Sequence, residues 1–97
     1  LFYHRYIRTV VFTDLSLART QTVSVTCRPA HMYWTISGDV QGTGTVMISS
    51  VLSNKVTGSF ATKGGGDYYE TNASVTFIPD APASGTIKAS FRFAELP

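Results

Sequence analysis

The sequence has little charge, one cysteine and no long apolar run. Only 14% of its 97 residues are Asp, Glu, Lys or Arg, against about 25% in an ordinary globular domain. The single cysteine excludes an internal disulfide framework and a cysteine-rich zinc site. No apolar stretch approaches the roughly 18 residues of a membrane-spanning helix, so no helical span is predicted. A chain of this length predicts a single domain.

Hydroxyl side chains supply the polarity that charge does not. The chain holds 13 Thr and 10 Ser, and 12% of its residues are aromatic, which excludes the usual highly charged, aromatic-poor kind of disorder. The net charge of +2 is uneven, because residues 1–28 carry four arginines against one aspartate and residues 29–97 carry four cations against five carboxylates. This asymmetry fits contact with nucleic acid or a membrane, complementarity between copies, or an ordinary surface.

Period-two alternation is the strongest pattern in the sequence, and it places successive side chains on opposite faces of a strand. In the longest run, Ile87 to Phe93, apolar residues alternate with Lys88, Ser90 and Arg92. Trp34 falls on the apolar side of its segment and is expected in the core. Six such segments, together with a β-branched and aromatic opening segment that alternates less well, predict seven strands: roughly 6–13, 22–27, 32–37, 43–51, 56–61, 73–78 and 87–93.

Turn signals separate these segments, and no window shows the spacing of an amphipathic helix. Ser37-Gly38-Asp39 and Gln41-Gly42-Thr43-Gly44 predict turns, and the run Lys63-Gly64-Gly65-Gly66-Asp67 predicts a flexible hairpin tip. His31 is expected in a loop before its strand. Short strands punctuated in this way predict an all-β fold in which two antiparallel sheets pack face to face as a sandwich, or close into a barrel.

The leading segment is apolar and aromatic although chain ends usually fray. One interpretation is an ordinary first strand with an untidy pattern. The other is an arm, residues 1–8, that adds to the sheet edge of a neighbour and precedes a sandwich domain at residues 9–97. The docking residues would then be Leu1, Phe2, Tyr3, Tyr6 and Ile7.

Catalytic and cofactor chemistry is poorly represented. There are two histidines, His4 and His31, and no Gly-x-Ser-x-Gly elbow, so nucleophilic catalysis is disfavoured. Asp67 and Glu70, with Asp39 or Asp80, show no regular calcium-loop spacing, and the Gly-rich run precedes no helix that would hold a phosphate. We therefore expect no enzyme activity, no metal and no cofactor.

Several residues are candidates for contact with a ligand or a partner. Outward or loop positions make Tyr33, Tyr68 and Tyr69 suited to ligand contact, because tyrosine offers contact area at low entropy cost. The stretch from Tyr3 to Arg8 mixes basic and aromatic residues, but it stands alone, so nucleic acid is a disfavoured partner. Cys27 alternates with Val23 and Val25, which favours burial over an interchain cross-link. A glycan or host receptor would be contacted by Tyr33, Asp67, Tyr68, Tyr69 and Glu70.

Two hydroxyl-rich, glycine-turned segments carry a family resemblance. Gly42-Thr43-Gly44-Thr45-Val46-Met47-Ile48 and the later run from Gly85 to Phe93 resemble strands of endospore-appendage subunits. More broadly, the outline resembles small β-sandwich subunits of bacterial surface fibres and phage structural proteins. The resemblance implies a jelly-roll or immunoglobulin-like sandwich that polymerises through an N-terminal extension laid on a neighbour. The chain departs from that family in having one cysteine, where interchain cross-linking would use several.

These observations give three functional hypotheses. The first is a non-enzymatic structural subunit that self-assembles, as a homo-oligomer or polymer, into an extracellular or cell-surface filament or a virion. The second is an adhesin module that binds a carbohydrate or receptor through its loop tyrosines. The third is a protein inhibitor that presents the Gly-rich segment.

Overall fold

The computed structural model describes residues 4–26, 28–49 and 51–95, and within them every regular element is a strand. Alternating β-branched and aromatic residues favour this conformation. The six strands are β1 (His4–Phe12), β2 (Arg19–Ser24), β3 (His31–Ile48), β4 (Leu52–Asp67), β5 (Asn72–Pro79) and β6 (Ser84–Glu95). The all-β antiparallel class predicted from the sequence is confirmed.

A long hairpin of β3 and β4 organises the sheet. β4 pairs with β3 along its whole length, while β6 and then β5 pair with successive halves of the opposite edge of β3. β1 adds to β6 and β2 adds to β5, so the strand order is β1-β6-β3-β5-β2 with β4 beside β3. Every one of these pairings is antiparallel.

The hairpin bends at a bulge, and this bend turns one sheet into two layers. The β3–β4 register shifts between Val40 and Thr43, where Gly42 has a φ of 123° that an L side chain rarely adopts. We call β1, β6 and residues 31–41 of β3 with 58–67 of β4 layer A. Layer B consists of β2, β5, residues 43–48 of β3 and 52–57 of β4.

Contacts between the two layers show that the layers face each other. The Arg8 guanidinium in layer A donates from Nε to the backbone oxygen of Ser24 at the end of β2, at 3.1 Å. The Tyr68 hydroxyl, just beyond the layer A end of β4, lies 3.3 Å from Ser49 Oγ beside the layer B end of β3. The predicted two packed layers are therefore parts of one continuous, nearly barrel-like sheet.

The core lies between the layers, and each strand contributes one face to it. On β3 and β6 the buried and exposed positions alternate as the sequence pattern predicts, and Trp34 is buried. No polar or charged side chain is buried among the described residues. The largest fully buried side chains are Phe77, Phe91, Phe93, Leu15, Ile36, Ile48, Ile87, Val40, Val46 and Val75.

Three expectations from the sequence are wrong in detail. Segments 32–37 and 43–51 do not form separate strands, because β3 continues through both and the turn signals between them mark a bulge; six strands result instead of seven. Lys63–Asp67 is the end of β4, paired with His31–Thr35, and not a flexible hairpin tip. His31 begins β3 instead of lying in a loop.

The leading segment is described from His4 onward. Residues 4–8 form the first half of β1 and pair with Phe91–Glu95 of the same chain. Leu1, Phe2 and Tyr3 of the predicted arm lie outside the described residues, as does Cys27.

Candidate binding face

The outward side of layer A, which we call the open face, carries a shallow depression of about 590 Å³. Two cross-strand rows of side chains meet there. The first row is Ile7, Arg92, Tyr33 and Gly65, and the second is Thr9, Ser90, Thr35 and Lys63. Ile7, Tyr33, Thr35, Lys63, Ser90 and Arg92 line the depression, with Trp34, Gly64 and Phe91 beneath it.

Tyr33 is held in a fixed position on this face. The guanidinium carbon of Arg92 lies 4.8 Å from the centre of its ring, a cation–π distance. On the other flanking strand, a Cβ built on Gly65 would lie 2.5 Å from Tyr33 Cδ1, so the absence of a side chain at Gly65 makes room for the ring. Tyr33 nevertheless remains 41% exposed, which leaves a rigid aromatic surface in contact with solvent.

A contact between a histidine and a carboxylate lies at the end of the same face. His31 and Asp67 are cross-strand partners, and His31 Nδ1 lies 3.3 Å from Asp67 Oδ1. The His31 imidazole also stacks near Tyr33, with ring centroids 6.3 Å apart and an interplanar angle of 24°. Asp67 is thus occupied by a neighbour on its own face.

The five predicted ligand-contact residues do not form one group. Tyr33 and Asp67 lie on the open face, as described above. Tyr68 is partly buried. Its hydroxyl donates to the backbone oxygen of Asn72 at 2.6 Å, and its ring centroid lies 6.2 Å from that of Phe93. Tyr69, 72% exposed, and Glu70 lie in the segment between β4 and β5.

The sequence interpretation missed the two cations of the depression, Arg92 and Lys63. The outward orientation of Arg92 was visible in the alternation of β6, whereas Lys63 was assigned to a flexible hairpin tip. What the sequence did not contain was the register that sets Arg92 opposite Tyr33 and Lys63 opposite Thr35, because those partners are many residues apart along the chain.

The predicted docking residues also separate. Tyr6 is partly buried and packs against the core of its own chain. Ile7 is 63% exposed and lines the depression. β1 lies at the edge of layer A, with β6 on one side.

The described residues form neither a cluster of metal ligands nor a helix that could span a membrane. Within the described ranges, no three His, Cys, Asp or Glu side chains come together in a group that would hold a metal ion. Among those residues there is also no helix of the length and apolarity that a bilayer crossing requires.

Comparisons with known proteins give a fold likeness and no family. No protein-family model matches the chain, and no curated protein sequence matches it significantly. A solved structure of Bacillus endospore appendages, described as a novel family of disulfide-linked pili, is similar with a TM-score of 0.60 and 14% identity, over 97% of this chain and 89% of that one. A ruminal GH26 endo-beta-1,4-mannanase is similar with a TM-score of 0.50 and 13% identity, over 81% of this chain but 19% of the mannanase. The chain is therefore similar in overall fold to that appendage protein.

Proposed function

We propose that this chain is a non-enzymatic structural subunit that assembles with copies of itself into an extracellular filament. The observation that carries the proposal is the likeness to the endospore-appendage pilus protein, which extends over 97% of this chain. Because 89% of the pilus protein is also covered, the two chains are alike as whole folded units.

Free sheet edges support assembly. In the described part of the chain, β1 pairs only with β6, β2 only with β5 and β4 only with β3, so one edge of each of these strands has no ladder partner. An open edge presents unpaired backbone donors and acceptors, and a strand from another chain can add to it. A head-to-tail contact of this kind is made between different surfaces of successive copies, and it gives a filament when the rotation from copy to copy does not close into a ring.

The leading residues are the proposed docking segment. Leu1, Phe2 and Tyr3 are apolar and precede β1, and the exposed Ile7 would extend their apolar surface. Tyr6, packed on the core of its own chain, would anchor the segment to its subunit. Covering such rings in a neighbour is favourable by roughly 25 cal/mol per Å² of apolar surface.

The single cysteine shapes the kind of assembly that is proposed. The similar pilus is described as disulfide-linked, whereas Cys27 is the one cysteine of this chain. One thiol per copy joins two copies and no more, so disulfides alone would not link a continuous filament. The proposed assembly therefore depends on non-covalent docking.

The placement of carboxylates on the open face supports a non-enzymatic role. Glycosidases place two carboxyl groups about 5–10 Å apart across the scissile bond. Asp39 on β3 lies opposite Ser59 on β4. Asp67 follows Ser59 by eight residues on β4, which is about 26 Å at strand spacing. These two acids do not form a hydrolytic pair.

The test is deletion of residues 1–3, which spares every residue that pairs in β1. Size-exclusion chromatography and negative-stain microscopy should show oligomers or filaments for the intact chain and a monomer for the deletion, with the melting temperature unchanged. The control is Leu17→Ser, which removes an exposed apolar side chain elsewhere and should leave assembly intact. An intact chain that stays monomeric at high concentration, or a deletion that still assembles, would overturn the proposal.

A further inference from the structure

We propose that the open face is a binding site for an acidic polysaccharide, a chain of sugars carrying carboxylate or sulfate groups. This site goes beyond the assembly role and does not depend on it, because its side chains all belong to one copy.

The first observation is the charge of the face. Arg92, Lys63 and Lys88 all point outward from layer A and are exposed. Among the side chains that the structure describes, the contacts within 4 Å between basic and acidic groups are Arg19 with Asp14, Lys55 with Asp80 and His31 with Asp67. Within that set, Arg92, Lys63 and Lys88 have no acidic partner. The acidic residues described on this face are Asp67 and Asp39. His31 lies against Asp67. Asp39 is two residues beyond Ser37, which pairs with Lys88.

The spacing of the cations fits a polymer. Arg92 and Lys63 line the depression itself, whereas Lys88 is four residues from Arg92 on β6, about 13 Å along the strand. A ligand with repeated anionic groups can contact all three cations, whereas a small ligand with one charge cannot. The planar guanidinium of Arg92 is suited to two parallel hydrogen bonds with a carboxylate or sulfate.

The uncharged groups of the depression suit a sugar backbone. Thr9 Oγ1 and Ser90 Oγ lie 3.3 Å apart, and Thr35 is on the same row. Each hydroxyl both donates and accepts hydrogen bonds, as sugar hydroxyls do. Beside them, Tyr33 and Ile7 provide apolar area, so the depression combines an apolar floor with a few polar groups in the way of ligand sites.

The same features disfavour single-stranded nucleic acid. Sites for such strands stack successive bases on several aromatic side chains. On the described part of the open face, Tyr33 is the one Phe, Tyr or Trp, and Arg92 occupies one side of its ring. Hydroxyl rows with a single aromatic residue favour the glycan.

The experiment measures binding of the full-length chain at 150 mM salt to dextran sulfate and to polygalacturonate, with neutral dextran as reference. We expect binding to at least one acidic polymer and none to dextran. The sulfated and carboxylated arms show which anionic group the face takes. A chain that binds neither acidic polymer, or binds dextran equally, would overturn the proposal.

Matched variants locate the site. Arg92→Gln and Lys63→Gln should each weaken binding about tenfold, the loss of one charge-assisted hydrogen bond, and Tyr33→Ala should also weaken it. Lys55→Gln changes net charge by the same amount in layer B and should alter affinity less than twofold. Equal losses at Lys55 and Arg92 would mean non-specific electrostatics and would overturn the site.

Two further outcomes would also overturn the inference. Tighter binding of a single-stranded oligothymidine than of either polysaccharide, abolished by the same substitutions, would make the face a nucleic-acid surface. A change of oligomeric state in Arg92→Gln without any polysaccharide binding would make it an interface between copies. Failure of polysaccharide binding would leave the residue 1–3 deletion result untouched, so the two proposals fail separately.

Discussion

Trp34 packs directly against the backbone of Gly64, its cross-strand partner in layer A. A Cβ built on Gly64 would lie 2.5 Å from Trp34 Cζ2, whereas one built on Gly66 meets nothing within 4 Å. The indole thus fills the space that a side chain at Gly64 would need.

This relationship predicts that Gly64→Ala destabilises the protein. Forcing an extra methyl group into a packed core costs about 1–3 kcal/mol, measured as the change in the free energy of unfolding by urea. Gly66→Ala, two residues along the same strand, is the control and should leave stability unchanged or slightly raised. Equal effects at the two glycines would show that the indole contact does not decide the outcome.

The connection between β1 and β2 offers a second matched pair. Leu15 is 1% exposed and Leu17 is 64% exposed, and the Leu15 backbone oxygen accepts a hydrogen bond from Ala83 N at 3.3 Å. Leu15→Ala should lower the unfolding free energy by about 2–5 kcal/mol, because it leaves a cavity at the corner of the layers. Leu17→Ala should stay within about 0.5 kcal/mol of the parent; a similar loss at both positions would contradict the burial of Leu15.

Removal of the Tyr68 hydroxyl is expected to lower the stability of the fold. Its hydroxyl donates to Asn72 O at 2.6 Å and lies 3.3 Å from Ser49 Oγ, so Tyr68→Phe should cost about 1 kcal/mol. Tyr69→Phe removes an exposed hydroxyl and should have little effect. Thermal melts of the two variants compare them directly, and a larger shift for Tyr69→Phe would count against this hydrogen-bond assignment.

The contacts of Asp80 predict that its contribution to the free energy of unfolding depends on pH. The Lys55 ammonium, 2.7 Å away, and the Thr43 hydroxyl donate to its carboxylate and lower its pKa below the usual value. A group with a lowered folded pKa stabilises the fold above its unfolded pKa, and that contribution is lost as pH falls through the folded pKa. The stability difference between the parent and Asp80→Asn should therefore be largest near neutral pH and shrink in acid.

The control for this prediction is Asp80→Asn made in a Lys55→Met background, followed by urea unfolding across the same pH range. Because the Lys55 ammonium is then absent, the pH-dependent part of the difference should be smaller. An Asp80→Asn effect that grows as pH falls would contradict the direction of the pKa shift.

The sequence predicts which faces are buried far better than where strands end. Alternation assigns the faces of β6 correctly and places Trp34 in the core, because burial of one face is a local property of a strand. Gly38 misleads for a physical reason: it lies within β3, where a Cβ would come 2.4 Å from the Thr86 backbone oxygen. Glycine there permits close approach of a neighbouring strand instead of making a turn.

The arrangement of the open face could not be predicted from the sequence for a related reason. Gly65 was grouped with its neighbours as a flexible tip, although its role in the structure is to make room for Tyr33 on the paired strand. Arg92 and Tyr33 are 59 positions apart and become neighbours only through the β3–β6 pairing. Such pairings depend on the whole fold, so no local pattern revealed that a cation lies over the tyrosine ring.

The pairing of β1 with β6 has a consequence for synthesis. β1 comes first among the described strands, and its hydrogen-bonding partner, β6, comes last. During translation β1 has no ladder partner until residues 84–95 have left the ribosome, so its backbone hydrogen bonds to a neighbouring strand form only after every other described strand has been made. Layer A therefore cannot be completed strand by strand in the order in which its residues are synthesised.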